Sequence, residues 1–199
     1  MIKLDTLLGK RAVSEAQSQL SFTRRSFVLG AAQMALGGVL AARMAWLAIA
    51  ENEPEQRGMG TTLSTLVISG SYGITGQVGD SRIYRVRGGI VSRMTEDHTL
   101  VAWQIKQGII SEQEAERSPH KNVITRAVGS RDYVQVDTMV FNLERGDRYL
   151  VCSDGLTKEL GDDELLAHLA LRLTASETVD ALVFAALAAG GRDNVTAIV

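Results

Sequence analysis

One apolar stretch of this 199-residue chain ends in a polar break that places a carboxylate at its tip. The stretch reads YLVCSDGL, from Tyr149 to Leu156, and it predicts a buried strand followed by a turn at Ser-Asp-Gly. The same pattern recurs at Asp80 in GQVGDSRIYRV and at Asp193 in RDNVTAIV, where apolar runs meet turns. Hard divalent cations require oxygen ligands on rigid supports, and strand ends supply such supports. The sequence therefore predicts a carboxylate metal site centred on Asp154.

The composition is that of a globular protein with no sign of nucleic-acid binding. A hydrophobic fraction of 45% is enough for a sizeable core, and a net charge of −2 provides no basic field that would attract nucleic acid. The single cysteine, Cys152, excludes an internal disulfide and fits a buried structural thiol better than a nucleophile. The three histidines, His98, His120 and His168, lack the spacing of metal ligands, and we interpret them as surface or structural residues.

The amino-terminal segment, residues 1–50, differs in character from residues 51–199, so the chain is predicted to have two parts. Residues 26–42 carry no charge, and the paired arginines Arg24 and Arg25 come shortly before them. Three interpretations remain open for this run: a helix that spans a membrane, a twin-arginine export signal, or a long helix packed on a sheet.

A membrane anchor is one expectation for this segment. The sequence FTRRSFVLGAAQMALGGVLAARM, residues 22–44, resembles the membrane-anchor start of class B penicillin-binding proteins. That resemblance implies attachment to the inner membrane through residues 26–50. Positive charges before the apolar run would keep the amino end inside, so a single span would place the rest of the chain outside the cytoplasm.

The remainder of the chain predicts strands interrupted by helices. Four strand segments are predicted between residues 61 and 94, with turns at GSYG and RGG, and one antiparallel sheet is the simplest arrangement. A helical excursion over residues 95–118 follows, with a capping box formed by Ser111 and Glu114. A half-exposed strand, two helices and a final strand are then predicted, over residues 134–141, 164–173, 177–189 and 195–199. Asp162 and Asp163 are predicted to cap the first of these helices, and Thr174 with Glu177 the second.

Six blocks of residues stand out between residues 54 and 199. They read RGMGTTL, VGDSRIY, TEDHTLV, NVITRAVG, GDRYLVCSDGLT and GGRDNVTAIV. Their order and spacing resemble those of the bacterial metal-dependent protein phosphatases of the 2C type. The resemblance implies an α+β fold, an α-β-β-α sandwich of two antiparallel sheets flanked by helices, here incomplete. It also implies hydrolysis of phosphoserine and phosphothreonine in proteins, with Mn²⁺ or Mg²⁺ as cofactor and a water held between two metal ions as nucleophile.

The resemblance assigns roles to the three aspartates. Asp154 of SDGL and Asp193 of RDNV match ligands of the family's core metal pair, and Asp80 of GDSR matches a ligand of a third metal. No catalytic residue is identified beyond these ligands. Each aspartate alone could be a turn residue, because Asp is common in turns. Three of them at strand ends within six ordered blocks favour a metal site. The helical excursion overlaps the family's flap beside the active site.

The chain departs from the family pattern in its amino-terminal part. Family members carry an Arg-x-x-Asn-Glu-Asp block and an Asp-Gly-Met-Gly-Gly-His block, and neither occurs in residues 1–52. These blocks supply a phosphate-binding arginine, the carboxylate that bridges both metals and a proposed general acid. Without the bridging carboxylate, two-metal chemistry should be disabled.

The expected function is a metal-dependent protein serine/threonine phosphatase of impaired activity. The alternative is a catalytically inactive phosphatase-like binding or regulatory module, which the amino-terminal segment could tether to a membrane. The resemblance implies phosphoprotein substrates from serine/threonine kinase signalling and a cytoplasmic location, with the inner membrane as the alternative location.

Overall fold

The computed structural model of the chain describes residues 60–130, 133–171 and 173–199. The predictions made for residues 1–50, including the membrane anchor, lie outside these described residues. Within the described ranges, no helix combines the length and the apolar character needed to cross a membrane.

Two antiparallel sheets contain the seven strands of the described part. The first sheet consists of β1 (Leu63–Ser69), β2 (Tyr72–Val78) and β5 (Asp137–Asn142), in the order β1-β2-β5. The second sheet consists of β3 (Arg82–Arg87), β4 (Ile90–Arg93), β6 (Arg148–Cys152) and β7 (Ala197–Ile198), in the order β4-β3-β6-β7. The predicted α+β class with two antiparallel sheets is therefore confirmed.

The described residues form five helices, and two of them confirm the predicted helical excursion between β4 and β5. The helices are α1 (Leu100–Lys106), α2 (Glu112–Arg117), α3 (Asp154–Thr157), α4 (Asp162–Leu169) and α5 (Ala175–Ala189). The predicted capping boxes are formed by Ser111 with Glu114 before α2 and by Thr174 with Glu177 before α5. Each box bonds backbone N–H groups that would otherwise have no partner at the start of the helix.

Helix α4 is shorter than the sequence pattern predicted. The pattern indicated a helix from residue 164 to residue 173 with Asp162 and Asp163 as caps. Instead Gly161 occupies the N-cap position and both aspartates lie in the first helical turn, where negative charge is favourable. Helix α4 ends at Leu169, and the backbone N–H of the C-cap residue Ala170 donates to the Leu166 carbonyl at 2.8 Å.

The four strand segments between residues 61 and 94 were predicted to form one antiparallel sheet, and that prediction is wrong because they are divided between the two sheets. Strands β1 and β2 pair in the first sheet, whereas β3 and β4 pair in the second. The chain changes sheets at Gly79, which has a φ of +103°. A Cβ at this position would overlap the side chain of Thr62, so both conformation and space require glycine. As a result, Asp80 lies at the junction of the two sheets.

The main hydrophobic core lies between the second sheet and helices α4 and α5. Its fully buried members come from both layers and include Tyr84, Leu150, Leu156, Leu165 and Leu182. Cys152 is also part of this cluster, and burial raises the pKa of its thiol to about 12. The interpretation of this cysteine as a buried structural thiol is therefore confirmed, since a reactive thiol needs a low pKa and access to solvent.

Replacing Leu182 by alanine tests which face of α5 is packed. Leu182 is 0% exposed, and Leu182→Ala should lower the free energy of unfolding by about 2–5 kcal/mol because it leaves a cavity. Leu187 on the same helix is 58% exposed, and Leu187→Ala should change the free energy of unfolding by less than about 0.5 kcal/mol. Urea denaturation followed by circular dichroism measures both. Equal effects of the two substitutions would contradict the packing described here.

Candidate metal centre

The end of β6 and the segment before β7 are held together around Ser153. The Ser153 N–H donates to the Thr196 carbonyl at 3.0 Å, and the Thr196 N–H donates to Ser153 Oγ at 3.0 Å. Ser153 Oγ in turn donates to the Asn194 carbonyl at 3.1 Å. A Cβ on Gly155 would overlap the Asn194 carbonyl oxygen, so this close approach requires glycine. The Ser-Asp-Gly and Asp-Asn motifs, far apart in sequence, therefore meet at one sheet edge.

Asp154 and Asp193 converge on the side chain of Lys158. Lys158 Nζ lies 2.5 Å from Asp154 Oδ2 and 2.9 Å from Asp193 Oδ2. The predicted turn after β6 is in fact the one-turn helix α3, which begins at Asp154. This turn places Lys158 four residues after Asp154 on the same face. Two of the three predicted ligands are therefore brought together, around an ammonium group.

These opposite charges shift each other's ionisation. The hydrogen bond from Lys158 lowers the pKa of Asp193, and the backbone N–H of Asn194 lowers it further. Burial alone would lower the pKa of Lys158, but hydrogen bonds to Asp154 and Asp193 outweigh this effect and raise it. Lys158 and Asp193 are therefore both charged at neutral pH.

Asp80 adjoins this pair without completing a ligand cluster. Burial raises the pKa of the Asp80 carboxyl, and the negative charge of Asp154 raises it further. Among the residues that the structure describes, no group of three or more His, Cys, Asp or Glu side chains is placed to hold a metal ion. Of the three predicted ligands, Asp154 and Asp193 therefore contact the same group, the Lys158 ammonium, and Asp80 lies beside them.

The carboxylate oxygens of Asp154 and Asp193 provide some, but not all, of the ligands that a hard cation needs. Two carboxylate oxygens converge on one positive charge, and carboxylate oxygens are the ligands that Mn²⁺ and Mg²⁺ prefer. Such an ion takes about six oxygen ligands, so Asp154 and Asp193 would supply some of them and water most of the others. The ion and the Lys158 ammonium would compete for the same oxygens, because both are positively charged.

One residue that the sequence interpretation treated as surface or structural lies directly against the Asp80 turn. The His98 side chain is only 3% exposed, and its Nδ1 accepts a hydrogen bond from the Gly79 N–H at 3.1 Å. Its position inside the block TEDHTLV was the only signal in the sequence. His120, in contrast, is exposed as expected.

Comparison with known protein families decides which family this chain belongs to. A family model described as protein phosphatase 2C matches residues 10–188. The chain belongs to this family. The match includes Asp80 and Asp154 and ends before Asp193. It begins well before residue 54, where the resemblance of the six blocks starts.

Curated relatives of the chain are protein phosphatases by name. The serine/threonine phosphatase stp of Listeria monocytogenes is 38% identical over 149 residues, which are 75% of this chain and 59% of the relative. Protein phosphatase PhpP of Streptococcus pneumoniae is 40% identical over 140 residues, which are 70% of this chain and 57% of the relative. The matched region therefore spans a little under three-fifths of the length of these relatives.

Solved structures of phosphatases share the fold. The serine/threonine phosphatase PstP/Ppp of Mycobacterium tuberculosis superposes with a TM-score of 0.75 at 35% identity, covering 79% of this chain and 66% of that one. The serine/threonine phosphatase of S. agalactiae gives a TM-score of 0.75 at 35% identity, covering 80% and 65%. The catalytic domain of PstP in complex with two manganese ions gives 0.71 at 35% identity, covering 78% and 64%.

Replacing Lys158 tests whether its ammonium controls the charge of the pair. Lys158→Met should raise the pKa of Asp193 towards its usual value, because the largest cause of the lowered pKa is removed. A pH titration of the side-chain carboxyl carbons by NMR measures this shift. Lys106→Met is the matched control, since Lys106 pairs with Glu96 instead. An unchanged Asp193 pKa in Lys158→Met would rule out the ammonium as the cause.

Proposed function

We propose that this chain is a metal-dependent protein serine/threonine phosphatase whose own activity is low. The convergence of Asp154 and Asp193 on one cationic group is the observation that carries the proposal. Membership of the protein phosphatase 2C family, a relative named serine/threonine phosphatase and another named protein phosphatase support it. The proposed substrates are phosphoserine and phosphothreonine in proteins that serine/threonine kinases modify, and the proposed location is the cytoplasm.

The residues that would hold the cofactor are Asp154 and Asp193, with Asp80 as a neighbouring carboxylate. Bound Mn²⁺ or Mg²⁺ supplies a water of lowered pKa and neutralises charge on the phosphoryl oxygens. Asp154 and Asp193 offer their Oδ2 atoms on rigid supports, because the hydrogen bonds of Ser153 fix the segments from which both project. Lys158 has to leave the two carboxylates when a divalent ion enters.

Low activity is proposed because the chain supplies few of the groups that two-metal chemistry needs. Neither the Arg-x-x-Asn-Glu-Asp block nor the Asp-Gly-Met-Gly-Gly-His block occurs in residues 1–52. Two-metal sites place their ions about 3.5–4 Å apart, and Asp154 and Asp193 would have to hold such a pair without the carboxylates that the two blocks would supply. A missing phosphate-binding arginine would also weaken the binding of substrate, because arginine binds phosphate through paired, charge-assisted hydrogen bonds.

The second candidate function is a phosphatase-like module that binds or regulates a phosphoprotein without hydrolysing it. The ion pairs of Lys158 favour this candidate, because the chain itself provides the positive charge between Asp154 and Asp193. The single ammonium balances one of the two negative charges and so reduces the repulsion between the carboxylates without a metal ion.

Mn²⁺-dependent hydrolysis of p-nitrophenyl phosphate and of a phosphothreonine peptide separates the two candidates. A phosphatase should show slow hydrolysis that requires Mn²⁺ and falls by about tenfold or more in Asp154→Ala and in Asp193→Ala, because each loses a metal ligand. Asp180→Ala, at an exposed aspartate of α5, is the matched control and should retain full activity. No hydrolysis by the folded parent chain would rule out the phosphatase and leave the binding module.

A further inference from the structure

The turn that carries Asp80 is fixed by hydrogen bonds to the backbone carbonyls on both sides of this residue. Gln77 Nε2 donates to the Ser81 carbonyl at 2.6 Å and to the Gly79 carbonyl at 3.0 Å. Ser64 Oγ lies 3.0 Å from the same Ser81 carbonyl and 2.5 Å from Gln77 Oε1, and its one proton is donated to one of these acceptors at a time. The backbone on both sides of Asp80 is therefore tied to strands β1 and β2.

On its amino-terminal side the turn is bound by His98. The His98 backbone N–H donates to the Gly79 carbonyl at 2.9 Å, and His98 Nδ1 accepts from the Gly79 N–H at 3.1 Å. One residue therefore pairs with both backbone polar groups of the glycine next to Asp80. The His98 side chain is 3% exposed, so water cannot replace these bonds without local opening.

The opposite ring nitrogen of His98 faces an ion pair. Because Nδ1 accepts a hydrogen bond, the neutral ring carries its proton on Nε2, which lies 3.1 Å from Asp137 Oδ2. Arg126 Nη1 donates to Asp137 Oδ1 at 2.6 Å and lies 3.2 Å from His98 Nε2. Burial alone would raise the pKa of Asp137, but the hydrogen bonds from Arg126 and His98 outweigh it, so Asp137 remains an ionised acceptor.

We propose that His98 is a positioning residue for the cation site. Its ring links Asp137, at the start of β5, to Gly79, and thereby keeps the Asp80 carboxyl beside Asp154. Any buried histidine needs partners at both ring nitrogens, but one partner of His98 is the backbone N–H of Gly79, the residue next to Asp80. The inference rests on the proposed function, since the position of Asp80 affects a cation only if the site binds one.

Two substitutions separate the roles of the two ring nitrogens. His98→Asn places an amide oxygen near the position of Nδ1, so it keeps an acceptor for the Gly79 N–H but loses the contact with Asp137. His98→Gln extends an amide nitrogen towards Asp137 but loses the acceptor for Gly79. His120→Gln is the matched control at an exposed histidine.

Amide hydrogen exchange measured by NMR tests whether His98 holds the turn. Relative to Leu150, a fully buried residue of β6, the Gly79 amide should exchange about tenfold faster in His98→Gln, because it has lost its acceptor. In His98→Asn and His120→Gln the same ratio should stay within about twofold of the wild-type value. An unchanged ratio in His98→Gln, or equal acceleration in His98→Asn and His98→Gln, would overturn the inference.

A titration with Mg²⁺ alone, followed by NMR of the side-chain carboxyl carbons, tests the link to the cation site. In the wild-type chain, Mg²⁺ should shift the carboxyl signals of Asp80, Asp154 and Asp193 together. In His98→Gln the shift at Asp80 should fall while that at the other two aspartates persists. A parallel loss at all three would mean that His98 only stabilises the fold.

The two measurements distinguish a failure of this inference from a failure of the proposed function. No Mg²⁺-induced shift at any of the three aspartates in the wild-type chain would overturn the proposed function and with it any role of His98 in cation binding. A normal Mg²⁺-induced shift at Asp80 in His98→Gln would overturn the role of His98 alone.

Discussion

The close approach of Gly155 to the carbonyl of Asn194 is the constraint on which the candidate site depends. Strand β7 is only two residues long and pairs with β6 through Cys152 and Val151. Beyond this short ladder, the hydrogen bonds of Ser153 continue the contact up to the site. A side chain at position 155 would push the two segments apart and separate the aspartates that each of them carries. The spacing of the Ser-Asp-Gly motif thus has a steric cause that is independent of any ligand.

Charge then determines how these aspartates behave. Two carboxylates held at one sheet edge repel each other unless a positive group lies between them. Lys158 supplies that group, and the pKa of Asp193 falls as a consequence. A divalent cation between the two carboxylates would reduce their repulsion in the same way. The ion pairs of Lys158 that stabilise the metal-free site therefore weaken the binding of a metal ion. This opposition connects the two candidate functions, which differ in the cation that the pair retains.

The sequence predicted best what is encoded locally and least what depends on distant partners. The capping boxes at Ser111 and Thr174 were predictable, because their partners lie three residues away. The division of the four-strand region into two sheets was not, because it depends on the fit of Gly79 against Thr62. The contact between His98 and Asp137 also escaped prediction, because Asp137 lies 39 residues further along the chain. The contact of Lys158 with Asp154 was missed because Asp154 was expected in a turn. Residues four apart face each other in a helix, and the sequence did not predict the one-turn helix α3.

A calorimetric titration of the chain with Mn²⁺ tests the central claim most directly. The claim is the proposal that Asp154 and Asp193 together hold one cation and that, among the residues the structure describes, these two carboxylates do not hold a pair of metal ions. The account predicts one weak binding event in the wild-type chain, lost in both Asp154→Ala and Asp193→Ala. Two tight binding events, or binding that survives both substitutions, would contradict it.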